Sequence, residues 1–248
     1  MIPITSSRSV GRNRFDDDSD DEIEIFEQNT FIENISMKLD NFSLTSNPKL
    51  LLIINNTIAS AAGRKIISHF SMNSIGWIEG SKKYGQVLAN ENLEIVVVVI
   101  KSDIPEPISY KISNTLVQME PRMTVILDGY NASKVQRDSL NNSNIRYLQT
   151  SCVPEESSPK SLGVSHLDIG AVVCGLSAAV ISQCEVRKLP AVICFSIREA
   201  AYTLSAAKSF EVIWPIIRKC LDDMSLPLPD SDDYMLVKRS DPFLINTE

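Results

Sequence analysis

The chain has 248 residues, of which 44% are hydrophobic and 22% charged, and a formal net charge of −7. That length and apolar content suffice for one sizeable core. The acidic balance argues against a general nucleic-acid binder, which needs a basic face to neutralise phosphates, and the longest apolar run, residues 95–100, is far too short to cross a bilayer.

Residues 1–22 are expected to be a disordered acidic tail, because Asp16, Asp17, Asp18, Asp20, Asp21 and Glu22 repel one another and little there can be buried. They hold no run long enough for a secretory leader. Ser19 among these acids is either a phosphorylation site or plain solvated surface. A single domain is expected over residues 23–224, with a linker and C-terminal tail over 225–248. Ile23, Ile25 and Phe31 suggest a first strand.

Asn47-Pro48 breaks the chain before LLLII at residues 50–54, a short all-apolar run of the kind a doubly covered strand shows. Ile58, Ala62, Ile66 and Phe70 follow at fourfold spacing, so a helix is expected there, capped by Asn56 or Thr57. This strand–turn–helix unit carries neither G-x-G-x-x-G nor G-K-S/T, so no phosphate cradle is expected. Trp77 to Lys83 reads as a strand end and turn. The Val-rich run at 93–100 must be central, and Pro105 and Pro107 stop it. A short helix before Pro121, a strand at 123–127, a further strand at 145–148 and a surface loop at 151–163 complete the middle of the chain.

Residues 170–195, GAVVCGLSAAVISQCEVRKLPAVICF, read as loop, buried helix, tight connection and buried strand. Leu176, Val180 and Cys184 place one apolar face on the helix, and Arg187 and Lys188 suit its negative pole. Gly170 and Gly175 are expected to allow close backbone approach. Pro190 hands the chain to the strand AVICF. A last helix starts near Ser205, with Phe210, Ile213, Trp214, Ile217 and Leu221 as a core stripe and a kink at Pro215. Strand and helix alternate, so the fold class is α/β: a three-layer domain with a mostly parallel central sheet and helices on both faces.

Chemistry-bearing groups are sparse. Asp128, at the end of a predicted strand, is either a catalytic carboxylate or half of an Asp-Gly turn. His69 falls on a helix face, and His166, in a loop, has Asp168 as a possible pair. The five cysteines include no C-x-x-C pair and an odd number, so they read as buried free thiols in a reducing compartment. No catalytic, metal-binding or cofactor-binding set is assigned. A small-molecule enzyme of nucleosidase, phosphorylase or hydrolase type is the alternative reading, requiring a pocket lined by His166, Asp128 and a strand-end serine.

The run Gly175-Leu176-Ser177-Ala178-Ala179-Val180-Ile181-Ser182-Gln183-Cys184, followed by Lys188-Leu189-Pro190-Ala191, resembles the proteasome assembly chaperone 1 family. Phe210 to Pro215, the acidic N-terminal tail and the LLLII unit are similar as well. The resemblance implies a non-enzymatic chaperone, cytoplasmic or nuclear, without cofactor. It implies pairing with a related second chaperone, proteasome assembly chaperone 2, and binding to the ring of proteasome alpha subunits, with no nucleic-acid or membrane partner. It also implies a partner-binding tail, here Ile245, Asn246, Thr247 and Glu248, although the Tyr of the family's hydrophobic–Tyr–any-residue ending is absent.

Overall fold

The all-apolar runs form the middle of one sheet. A computed structural model of the chain describes residues 36–39, 47–55, 66–101, 104–131, 145–198 and 206–227, all belonging to the unit Glu33–Glu248. In chain order the strands are β1 (Ser36–Leu39), β2 (Leu50–Ile54), β3 (Asn73–Glu79), β4 (Lys83–Ala89), β5 (Ile95–Ile100), β6 (Met123–Asn131), β7 (Ile145–Gln149), β8 (Ser165–His166) and β9 (Ala191–Arg198). The helices are α1 (Glu106–Val117), α2 (Gly175–Arg187) and α3 (Ala206–Asp223); residues 66–69 are also helical.

The sheet order is β1-β3-β4-β5-β2-β6-β9-β7-β8. The four neighbours β5, β2, β6 and β9 run parallel, and they contain the apolar runs at 95–100, 50–54, 125–127 and 191–195. Each is covered on both faces, so alternate side chains meet different helices and no polar alternation survives in the sequence. Leu51, Ile53, Val96, Val98, Ile126 and Ile193 point to one face, where α1 and α2 lie. Leu52, Ile54, Val97, Val125, Val192 and Cys194 point to the other, under α3 and Ile66. The three-layer α/β domain with a mostly parallel central sheet is therefore what the structure has.

The flanks are antiparallel. The predicted turn at 77–83 is the tip of a hairpin whose return strand, β4, pairs with both β3 and β5. Its mixed sequence, KYGQVLA, conceals a strand that is mostly buried. At the other flank β7 is antiparallel to β9, and β8 adds a two-residue parallel edge. Pro215 does not end α3. Ile213, Trp214, Ile217 and Leu221 face the core as the spacing requires, and Pro215 lies on the exposed side, where water can satisfy the carbonyl it leaves without a donor.

The acidic tail with Ser19, the suggested strand at 23–31, the caps Asn56 and Thr57, and the C-terminal residues Ile245, Asn246, Thr247 and Glu248 lie outside the described residues. Among the described residues no helix is long and apolar enough to cross a membrane.

Candidate functional site

The connections leaving β2 and β6 run to opposite sides of the sheet, β2 toward β3 and β6 toward β7. Such a divergence opens a crevice at the carboxyl ends of parallel strands, where α/β proteins place their ligands. Three polar side chains meet there. Asn55 directly follows β2, Asp128 sits late in β6, and Ser177 is in the first turn of α2. The Ser177 hydroxyl donates to Asp128 Oδ2 at 2.5 Å, and Asn55 Nδ2 donates to the same oxygen at 3.0 Å and to Ser177 Oγ at 3.2 Å. The other carboxylate oxygen, Oδ1, accepts from the Gly129 amide at 2.7 Å.

This arrangement corrects the reading of Asp128-Gly129 as a turn. Both residues continue β6, in register with Phe195 and Ser196 of β9. Asp128 therefore shares a face with Phe195, beneath α2, and its carboxylate fastens the start of that helix to the sheet. Ser177 is 0% exposed. A hydroxyl so enclosed acts as a fastening, since a nucleophile needs open space beside it for a reacting carbon. Sequence reasoning singled out Asp128 but missed Asn55 and Ser177. The signal available was that both are polar residues at the end of an apolar element.

The other candidates are placed apart. His166 lies in β8, not in a loop, three strand spacings or about 14 Å from β6 across the sheet. Its ring packs edge-on against Tyr147 at 5.2 Å, and its Nδ1 donates to the Leu167 carbonyl at 2.8 Å. Asp168 lies instead beside Arg146, with Nε to Oδ1 at 3.9 Å. Among the described residues Arg146 is the largest fully buried side chain, a feature the strand-like sequence around it does not announce. Histidine, Asp128 and a strand-end serine thus do not converge.

Two further expectations change. A Cβ on Gly170 or Gly175 would meet nothing within 4 Å, so these glycines do not serve close packing; their φ values of +86° and +70° are the reason for glycine. Close approach occurs at Gly85, where a Cβ would come within 2.9 Å of the Val99 carbonyl oxygen of the adjacent strand. The thiols also divide. Burial pushes Cys184 up to about 11, Cys220 up to about 12 and Cys194 further up, whereas Cys174 is exposed and Cys152 half-buried. The predicted loop at 151–163 holds two 3-10 turns, Glu155–Ser157 and Pro159–Leu162, with Val153, Ser158 and Pro159 buried. Among the described residues no group of three His, Cys, Asp or Glu side chains is arranged to hold a metal ion.

The C-terminal end of α2 is anchored separately. Glu185 stands where the helix dipole opposes an anion. The Ser151 hydroxyl and amide donate to its two carboxylate oxygens at 2.6 and 2.7 Å and, with Lys188 beside it, hold its pKa down to about 2. Lys188 then ends the helix in the left-handed region at φ +59°.

The fold recurs in solved structures. PbaA from Pyrococcus furiosus, an archaeal homolog of proteasome-assembly chaperone, superposes with a TM-score of 0.53 over 79% of this chain and 87% of its own, at 14% identity. PbaB from the same organism, an archaeal proteasome activator, gives 0.55 over 79% and 91%, at 10% identity. A Thermoplasma acidophilum protein of unknown function gives 0.53 over 69% and 75%, at 17% identity. This chain has the fold of these archaeal proteins. No protein-family model and no curated protein sequence matches it. Within that fold, the segment leading into α2 is apolar and turned outward: Ile169 is 100% exposed and Val172 68%.

Proposed function

We propose that this chain is a proteasome assembly chaperone of the chaperone 1 type. In this reading it pairs as a heterodimer with proteasome assembly chaperone 2. The pair binds the ring of proteasome alpha subunits, promotes its assembly and blocks wrong association. The chain has no catalytic role and acts in the cytoplasm or nucleus. The observation that carries the reading is the fold shared with PbaA over 79% of the chain, joined to the place of the GLSAAVISQC run. That run is α2, whose side chains fill the layer between helix and sheet and whose Ser177 is tied to Asp128. Its small and apolar composition is thus accounted for by packing, without a reaction. The outward-facing Ile169 and Val172 add an apolar surface of the kind a partner covers.

The test is isolation of the tagged full chain from its own cells, with mass spectrometry of the native complex. Alpha subunits and a second, related α/β chaperone are expected to co-purify, and mature capped proteasome is not. Recovery of no proteasomal subunit would refute the proposal. Removing residues 243–248 separates the two candidate contacts: unchanged binding assigns it to the folded body, and lost binding assigns it to Ile245, Asn246, Thr247 and Glu248.

A further inference from the structure

The two helix layers differ in what they turn outward. Opposite the core stripe of α3 stand Arg218, Lys219 and Asp222, the charged face that a solvated helix shows. α1 and α2 lie side by side over the other face of the sheet. Helical spacing turns Pro107, Tyr110 and Asn114 of α1 and Ala179, Ser182 and Val186 of α2 away from the core, and none of these is charged. Tyr110 is 61% exposed and Val186 79%. The charged residues of the two helices stand off this stripe. Lys111 lies a turn before Thr115, on the flank facing Met37 of β1. Glu185 is held by Ser151 on the opposite flank. Glu106 marks the start of α1, and Arg187, which donates to Asn114 at 2.6 Å, marks the end of α2. Both helices start at the carboxyl ends of the parallel strands: α1 links β5 to β6, and Ser177 of α2 meets Asp128. Their shared outer face is therefore neutral in the middle, acidic at one end and basic at the other.

We propose that this face pairs with the same face of a second copy of the chain, the helices of one copy antiparallel to those of the other. Composition is the first argument. A centre without charge that carries an exposed aromatic ring has the make-up of a covered patch, not of a solvated one. Symmetry is the second. A two-fold axis lays a patch on itself, so a centre of either sign would repel its own image, and this centre has no sign. Polarity is the third, and it selects the occupant. An axis crossing the helices brings the start of the layer in one copy over its end in the other. Glu106 then meets Arg187 twice, once in each direction, and the helix dipoles run oppositely. Ala179 and Ser182 are small enough for the facing helices to approach closely.

The proposal goes beyond the assembly-chaperone reading, which assigns no residue of this face, and does not depend on it. Sedimentation velocity of the purified full chain is expected to show monomer passing to dimer between about 1 and 100 μM. Ser182→Arg, with unchanged circular dichroism, is expected to weaken pairing about tenfold or more, whereas Asp222→Arg on α3 leaves it unchanged. Glu106→Arg and Arg187→Glu are each expected to pair about tenfold more weakly alone, because like charges then meet. Mixed in equal amounts the two variants are expected to recover pairing, since one copy then offers two cations and the other two anions. A chain that stays monomeric throughout, a Ser182→Arg variant that pairs as the wild type does, or a mixture that pairs no better than its components would each overturn the proposal. A chain that is monomeric alone and pairs through this face only with a different α/β chain overturns it too, and leaves the chaperone reading standing.

Discussion

The Asp128–Ser177 contact is the most direct place to test the account of α2. In Asp128→Ala the Ser177 hydroxyl loses the acceptor it holds at 2.5 Å, and the Asn55 and Gly129 donors lose theirs at 3.0 and 2.7 Å. Ser177 is fully buried, so water cannot replace the carboxylate there, while the half-buried Asp128 position admits water to Asn55. Hydrogen bonds to a charged group contribute about 1.5–3 kcal/mol each, and discounting the wetter two gives a destabilisation of about 3–4 kcal/mol. Ser177→Ala removes its donor together with the need for an acceptor, and is expected to cost only about 1–2 kcal/mol. The double-mutant cycle is then expected to show coupling of about 1–2 kcal/mol. Urea denaturation followed by circular dichroism reads all four corners. An Asp128→Ala variant within about 0.5 kcal/mol of the wild type, or a coupling near zero, refutes the fastening role. The same variant separates the functional readings: Ser177→Ala is expected to retain alpha-subunit binding, whereas a serine nucleophile would make it inactive against any substrate the chain turns over.

Three further outcomes follow from the same structure. Lys188→Gly is expected to stabilise the chain by about 0.5–1 kcal/mol in urea melts, because glycine adopts the left-handed backbone at φ +59° without the Cβ clash; a destabilised variant would count against that backbone conformation. Thiol labelling near neutral pH is expected to modify Cys174 first and Cys184, Cys194 and Cys220 only on unfolding, since burial raises the latter three; comparable rates for a buried thiol and Cys174 would contradict the packing. Glu185 is held down to about 2 from an unperturbed 4.5, so its folded pKa lies below its unfolded one. Its stabilising contribution is therefore present above pH 4.5 and lost as pH falls through about 2, and Ser151→Ala is expected to move its carbon-detected NMR midpoint upward. A wild-type midpoint at or above 4.5 would dispose of the Ser151 contacts.

Much of the candidate site was legible one residue at a time and illegible as a set. Asp128 stands out because an acid closes an apolar run. That it belongs with Asn55 and Ser177 depends on three segments separated by up to 122 residues in sequence meeting at one strand end. The Asp-Gly pair shows how local chemistry misleads: it suits a turn, but β9 offers eight paired positions to β6, and the ladder carries the chain straight through. The glycines show the converse. Gly170 and Gly175 were correctly set apart, yet for the wrong cause, because backbone handedness leaves no mark in composition. Strand β4 is hard to read because its buried residues divide between the two faces of the sheet and are interrupted by Gly85 and Gln86.

By itself the sequence determined the alternation of strand and helix, the four doubly buried strands and the inward stripes of α2 and α3. These follow from periodicity, which is a property of neighbours along the chain. The tertiary structure alone decided the order of strands and the antiparallel flanks. It decided which polar residues met at the carboxyl ends, and it brought Lys83 and Lys101 onto the Trp77 ring. Those features are pairings between distant segments, set by which faces can be buried together, and a chain read in order holds no local trace of them.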